Sequence, residues 1–242
     1  MASDAPASPE TLPRLVPALL SFVAGYVDSC TFLALFGLYV AQLTGSFVLV
    51  GTETVVHDAG FAIKLLAIPM FGLAGALTTV IVRRSRGRAA LPATLALEAA
   101  LLVGLFAAWR IGAPLTGRGD PAVLVASLCG LSAMGVQSAL VRLLVKDCPS
   151  TNVMTTNTTL FAIDATDLAI AWRAHRRAPG DAAAAAAYGK ARDRFAVPWP
   201  IVLGFVAGTV GGAAAYARLD LWCVLLAVAV VGALAVWARA RS

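Results

Sequence analysis

The chain has 242 residues, of which 60% are hydrophobic and 13% are charged, and its mean hydropathy is +0.82. About a quarter of the residues of an ordinary soluble domain are charged. The composition therefore excludes such a domain and indicates a multi-pass protein of the bacterial inner membrane. The net charge of +6 does not predict nucleic-acid binding, because the basic residues lie mostly between apolar runs, where they set the orientation in the membrane.

Residues 1–14 are polar and rich in proline. They lack the basic start and the cleavage site of a signal peptide, so we expect a polar tail. The four cysteines show no CxxC spacing and the two histidines are isolated, which argues for buried free thiols and against a metal site. Without a catalytic motif, we expect no enzyme activity and no cofactor.

The stretch from Ser21 to Val56 predicts a membrane span followed by a broken segment. The span runs from about Leu15 to Phe36 and contains Asp28. After the break at Gly37 and the sequence Thr44-Gly45-Ser46, the apolar run from about Ser46 to Val56 is too short to cross a bilayer. A buried carboxylate and a break within the membrane are both costly in hydrocarbon, so we predict a re-entrant half-helix.

Two further spans complete a first membrane repeat over residues 15–111. They run from about Phe61 to Val82 and from about Ala90 to Ile111. Glu98 lies within the third span, where we consider it a possible proton relay or a helix-packing hydrogen-bond partner. The loop at 112–121 is short and nearly neutral, and we expect it to face the outside.

A second repeat is predicted over residues 122–237. Its first span, from about Ala122 to Val145, contains Gln137, and a second re-entrant segment is expected over Ser150 to Ala165, which is rich in Thr and Asn. A basic cytoplasmic helical insertion follows at about 167–194. The last two spans run from about Pro198 to Tyr216 and from about Leu221 to Trp237.

The two halves follow the same order, a long span with one polar side chain, a short Thr-containing segment and two more spans. Three spans in each half force the halves into opposite orientations, as in many secondary transporters. The predicted fold is therefore an all-α membrane protein with six spans and two half-helices in a 3+3 inverted repeat. Arginine clusters at 83–88, 173–194 and 239–241 predict that both termini are cytoplasmic.

Several motifs resemble a known family. Gly25-Tyr26-Val27-Asp28, Phe32-Leu33-Ala34-Leu35 and Thr44-Gly45-Ser46 in the first half, with Met134 to Ala139 and Thr151 to Thr155 in the second, are similar to the YoaK-like family of small bacterial membrane proteins of uncharacterised function. The resemblance covers about Leu15 to Trp237. It departs at Ser46 and Thr156, where that family tends to have Asn and Gly, and it implies no activity.

The predicted binding residues lie on the first span of each half and at the starts of the two half-helices. Free N–H groups at a helix N-terminus favour an anion, although Ser, Thr and Asn are also common there simply as caps. Asp28 could bind a proton, a cation or a substrate, or it could hold the broken segment by a structural hydrogen bond. The predicted substrate- or ion-binding residues are Asp28, Thr44, Gly45, Ser46, Gln137, Thr155, Thr156 and Asn157.

These features predict a small secondary transporter or permease for a small polar or anionic solute, which could be coupled to protons through Asp28. A channel and a non-transporting scaffold or partner subunit are the alternatives. The expected partners are the lipid bilayer and the solute. The small-residue faces of the second and fifth spans could also form a homodimer.

Overall fold

A computed structural model of the chain describes residues 15–56, 61–85, 89–145 and 148–241. The polar tail predicted at 1–14 lies outside these residues. The described residues form helices and contain no β-strand, which confirms the all-α class. The helices are α1 (Leu15–Ala34), α2 (Leu43–Val56), α3 (Phe61–Arg84), α4 (Ala90–Gly112), α5 (Pro121–Leu144), α6 (Met154–Arg177), α7 (Ala182–Phe195), α8 (Pro198–Leu219) and α9 (Val224–Arg241).

Five helical stretches of the described residues are long and apolar enough to cross a membrane, so the chain is a multi-pass membrane protein. Four of them correspond to α1, α3, α4 and α5. The fifth runs from Ala182 to Arg241 and includes both α8 and α9, which only a short 3₁₀ turn at Asp220–Cys223 separates. The sequence predicted these two helices as separate spans, and six spans stay a prediction.

Helix α1 packs most extensively on α8, far away in the sequence. Glycines at every fourth position bring one face of α8 against the α1 backbone. A Cβ atom at Gly204 would lie 2.5 Å from the carbonyl oxygen of Ala18, and one at Gly212 would lie 2.5 Å from that of Tyr26. Since both residue numbers increase together along this contact, α1 and α8 are parallel.

Helix α5 packs on α3 in the same parallel manner. A Cβ atom at Gly135 would lie 2.8 Å from the carbonyl oxygen of Phe71, and one at Gly75 would lie 3.9 Å from the Cβ of Ala139. Helix α4 instead runs antiparallel to α5, since Gly104 faces Cys129 while the end of α4 meets the start of α5. Each half thus contributes its first helix to a parallel pair with a helix of the other half.

The interior of the bundle is built around α1 and α5. Two thirds of the apolar window of each helix is buried, against 17% for α3. Asp28 on α1 and Gln137 on α5 are buried and therefore lie against protein and not against lipid, which is the placement that a membrane interior tolerates.

The structure moves the start of the first predicted half-helix and overturns the bounds of the second. Helix α2 begins at Leu43, so Thr44-Gly45-Ser46 lies in its first turn and not before it. Helix α6 has 24 residues and runs to Arg177, so the short segment predicted to end near Ala165 is wrong. The physical reason is that no glycine or proline interrupts the chain between Met154 and Arg177.

The second half of α6 and all of α7 form a hairpin in the region of the predicted basic insertion. The Arg194 guanidinium bonds to the Asp167 carboxylate and lies 3.8 Å from that of Asp164. The rings of His175 and Tyr188 stack with centroids 5.5 Å apart. These contacts hold the two helices together at the end of the molecule that carries most of the arginines of this half.

Candidate functional site

The buried carboxylate of Asp28 holds the loop that follows α1. Its Oδ1 accepts hydrogen bonds from the backbone N–H groups of Val40, at 2.7 Å, and of Ala41, at 2.8 Å. The loop can fold back onto α1 because Phe36 and Gly37 both adopt positive φ angles, of 56° and 86°. A non-glycine residue in this region marks local backbone strain, so the loop conformation is over-determined by its surroundings.

Only one oxygen of Asp28 is satisfied in this way. The second oxygen, Oδ2, is buried and has no well-formed hydrogen bond to any described residue, although the side chain of Gln42 interacts with the carboxylate. The loop itself packs on α5, where a Cβ atom at Gly130 would lie 3.0 Å from Cγ1 of Val40. Asp28 therefore connects α1, the loop and the α5 surface.

Gln137 holds the loop that follows α5 in a comparable way. Its Nε2 lies within hydrogen-bond distance of the Leu20 carbonyl oxygen (2.9 Å), Thr151 Oγ1 (2.9 Å) and Asn152 Oδ1 (3.0 Å). Asn152 donates in turn to the Met134 carbonyl oxygen, at 3.2 Å. All these side chains are buried, so the loop before α6 is fixed to the interior by a polar cluster.

Ser21 extends this cluster to α8. Its hydroxyl donates to the Ile201 carbonyl oxygen, at 2.8 Å, and lies 3.3 Å from that of Thr151. Thr151 and Asn152 were predicted only as part of a motif and not as partners of Gln137. Their position in a polar run directly before a helix was the available signal.

Asp28 and Gln137 do not meet in one site. Gln137 bonds to the carbonyl oxygen of Leu20, and Asp28 lies eight residues further along α1, which corresponds to about 12 Å at 1.5 Å per residue. No hydrogen bond joins the two side chains. Among the described residues, the polar contacts of Asp28 and those of Gln137 thus form separate clusters at different depths, where the sequence predicted a shared cavity.

Some of the predicted residues at the helix starts lie in the interior and the others at the surface. Ser46 and Asn157 are buried, and Asn157 Nδ2 donates to the Ser150 carbonyl oxygen at 2.6 Å. The other four predicted residues at these helix starts are exposed: Thr44, Gly45, Thr155 and Thr156.

Glu98 lies on the buried face of α4 and is 0% exposed. Neither of its carboxyl oxygens has a hydrogen-bond partner among the described residues. Such a group is exceptional in a protein interior, where polar side chains are almost always paired.

A small cavity of about 100 Å³ lies beside the loop after α1. Two basic side chains, Lys64 and Arg118, line it together with apolar groups, and Arg118 Nε donates to the Phe36 carbonyl oxygen at 2.9 Å. This cavity was not predicted from the sequence, because Lys64 and Arg118 are 54 positions apart (118 − 64) and each has an ordinary place near a helix end.

No group of three or more His, Cys, Asp or Glu side chains among the described residues could hold a metal ion.

Comparison with known proteins identifies the family of the chain. No curated protein and no solved structure matches it. A family model matches residues 16–237, almost the whole of the region that the sequence motifs cover. The chain therefore belongs to the family described as protein of unknown function (DUF1275).

Proposed function

We propose that the protein is a small secondary transporter or permease for a small polar or anionic solute, built from two three-span halves in opposite orientations. The observation that carries this proposal is the pair of crossed parallel contacts, α1 with α8 and α3 with α5. In an inverted repeat, a pseudo-twofold axis that relates α1 to α5 also relates α8 to α3. One contact then generates the other, as in transporters of this architecture.

The two polar clusters support the same relation. In each half, a buried polar side chain on the first helix holds the loop that follows that helix. This side chain is Asp28 in the first half and Gln137 in the second. Irregular backbone inside a membrane protein is tolerated where it is buried in protein or lines a cavity. The two loops are therefore the elements that we expect to line the solute pathway, one from each side.

The cavity beside the loop after α1 is a candidate entrance to the pathway. Lys64 and Arg118, which line it, lie at the end of the bundle that carries the short loop at 112–121, which we place outside.

Uptake into proteoliposomes tests the proposal directly. Radiolabelled phosphate, sulfate and acetate, with glycerol as an uncharged probe, are offered with and without a pH gradient. Saturable uptake of at least one probe above that of empty liposomes is expected. Flux that rises without saturation identifies a channel, and no flux of any probe contradicts both transport functions.

Arginine variants test whether the cavity lies on the pathway. Arg118→Ala should lower uptake several-fold, because it removes a side chain that lines the cavity. Arg110→Ala is the matched control. Arg110 is an exposed basic residue in the last turn of α4, close to the loop at 112–121, and does not line the cavity. Equal effects of the two substitutions would contradict a role for the cavity.

A non-transporting scaffold or partner subunit is the second candidate. The hairpin of α6 and α7 exposes Ile170 and Trp172 and packs chiefly on itself and on α8, which leaves surface for a partner. A stable copurifying protein together with absent flux would favour this candidate. A homodimer also stays a prediction, but the glycine face of α8 that could have formed it is occupied by α1.

A further inference from the structure

Helical register places Glu98 of α4 near the level of Gln137 of α5. Helices α4 and α5 are antiparallel, and Leu105 packs on Gly130, where a Cβ atom would lie 2.9 Å from its Cδ1. Seven residues are close to two full helical turns, so a step of seven returns to the same face. Seven residues before Leu105 is Glu98, and seven after Gly130 is Gln137.

The two side chains are complementary in hydrogen bonding. Gln137 Oε1 is buried and accepts no hydrogen bond among the described residues, while its Nε2 is fully engaged with Leu20, Thr151 and Asn152. Glu98 is likewise without a partner in the described part of the chain. A protonated carboxyl supplies the donor that Oε1 lacks.

We propose that Glu98 is a proton-binding site of the bundle interior, whose protonated carboxyl pairs with Gln137 Oε1. The neutral acid is the form that an unpaired interior position tolerates, because an isolated carboxylate in low dielectric is strongly unfavourable. Adjustment of the two side chains brings the O–H of Glu98 to Oε1 with no change in the other bonds of Gln137.

Loss of the proton then acts on the loop before α6. The proton leaves Glu98 for water and the carboxylate remains, so that two acceptors, the carboxylate and Oε1, face each other. Rotation of the Gln137 amide turns Nε2 toward Glu98 and relieves this repulsion. The same rotation removes the donor from Asn152 Oδ1 and the Leu20 carbonyl oxygen, and so releases part of the cluster that holds residues 148–153.

Other ionisable side chains of the helices that pack on α4 lie away from this level. Gly104 faces Cys129, which places Cys129 about six residues, or roughly 9 Å, beyond the level of Glu98. The remaining ones lie toward helix ends or in the turn before α9: Lys64, Arg83, Arg84, Arg142, Asp220, Cys223, Arg239 and Arg241.

Infrared spectroscopy of the purified full chain in lipid nanodiscs tests the proton site without any solute. The wild type should show the C=O stretching band of a protonated carboxylic acid, which weakens as the pH rises. The band should be lost in Glu98→Gln and kept in Asp28→Asn. Gln137→Leu should shift it to higher frequency, because the hydrogen bond to Oε1 is lost.

Isotope labelling keeps the test valid if Glu98→Gln fails to fold. The chain has three glutamates, Glu10, Glu53 and Glu98, so ¹³C-labelled glutamate must shift the band if Glu98 carries the proton. A band that survives in folded Glu98→Gln, or that does not shift on labelling, overturns the proposal, as does the absence of any such band.

The coupling role of this site rests on the proposed transport function, and the two can fail separately. A glutamic acid band without flux of any probe leaves the proton site standing and contradicts transport. Where flux is found, Glu98→Gln should abolish its response to a pH gradient. Retention of the full response overturns the coupling role of Glu98.

Discussion

Asp28 and Glu98 are both buried carboxyl groups of the bundle, but they differ in their hydrogen-bond partners. Asp28 accepts two backbone N–H groups and holds a strained loop, whereas Glu98 has no hydrogen-bond partner among the described residues. The observed contacts of Asp28 thus support the structural role, in which its carboxylate holds the segment after α1 by hydrogen bonds. We therefore assign the proposed proton coupling to Glu98 and not to Asp28.

Substitutions at Asp28 separate shape from charge. Asp28→Asn keeps an oxygen for Val40 and Ala41, so its thermal stability in detergent should stay close to that of the wild type. Asp28→Ala leaves two buried N–H groups unpaired, at about 1–3 kcal/mol each, and should unfold at a clearly lower temperature. Equal melting temperatures for Asp28→Ala and the wild type would contradict the loop-holding role.

Cys148 reports on the loop before α6 through its reactivity. Burial raises the pKa of the Cys148 thiol to about 11, and the thiolate is the reactive form. Alkylation by N-ethylmaleimide, followed by mass spectrometry, should therefore be slow at pH 7 and accelerate as the pH rises toward 11. Rates at pH 7 that equal those of a free cysteine peptide would show that this loop is open to water.

The glycine face of α8 decides the packing of α1 at the scale of whole elements. A Cβ atom at Gly208 would clash with the Phe22 carbonyl oxygen, whereas one at Gly211 would meet nothing closer than 3.9 Å. Gly208→Ala should lower the free energy of unfolding by about 1–3 kcal/mol, the usual effect of overpacking. Gly211→Ala should leave it almost unchanged, and a reversed order in denaturation of the two variants would contradict this packing.

The elements show how far the sequence predicts this fold. Apolar length located α1, α3, α4 and α5 to within two residues, because a hydrophobic run and its charged or polar ends are local signals. The continuity of α6 was missed because Thr and Asn do not suit lipid, yet nothing in that segment breaks a helix. The pairing of α1 with α8 depends on glycines of α8 that are almost 200 positions away in the sequence. No local sequence pattern predicts which helix these glycines contact.

The site was predictable only in part for a related reason. Asp28, Glu98 and Gln137 are identifiable as polar side chains within apolar runs. The partners of Asp28 are backbone N–H groups of Val40 and Ala41, and backbone groups carry no sequence signal. Glu98 and Gln137 lie on one level only because α4 and α5 are antiparallel in a particular register.

At the scale of the whole molecule, the two clusters lie at different depths and each holds one loop. A carrier must open alternately to each side, and such motions use elements whose two arrangements differ little in free energy. In the proposed mechanism, loss of one proton from Glu98 releases the loop held by Gln137, whereas the loop held by Asp28 is fixed by a carboxylate that accepts two backbone N–H groups. We therefore expect the two sides to be controlled differently.

The orientation of the whole molecule decides which side the proton controls, and two glycines allow it to be measured. Gly117 lies in the loop at 112–121 and Gly180 between α6 and α7, and a Cβ atom at either would meet nothing within 4 Å, so a cysteine fits at both. The arginines near Gly180 predict that it faces the cytoplasm. In a cysteine-free background, a membrane-impermeant maleimide should label Gly117→Cys in intact spheroplasts and Gly180→Cys only after lysis. Labelling of Gly180→Cys in intact spheroplasts would show that the molecule has the opposite orientation, with the loop held by Gln137 on the outside.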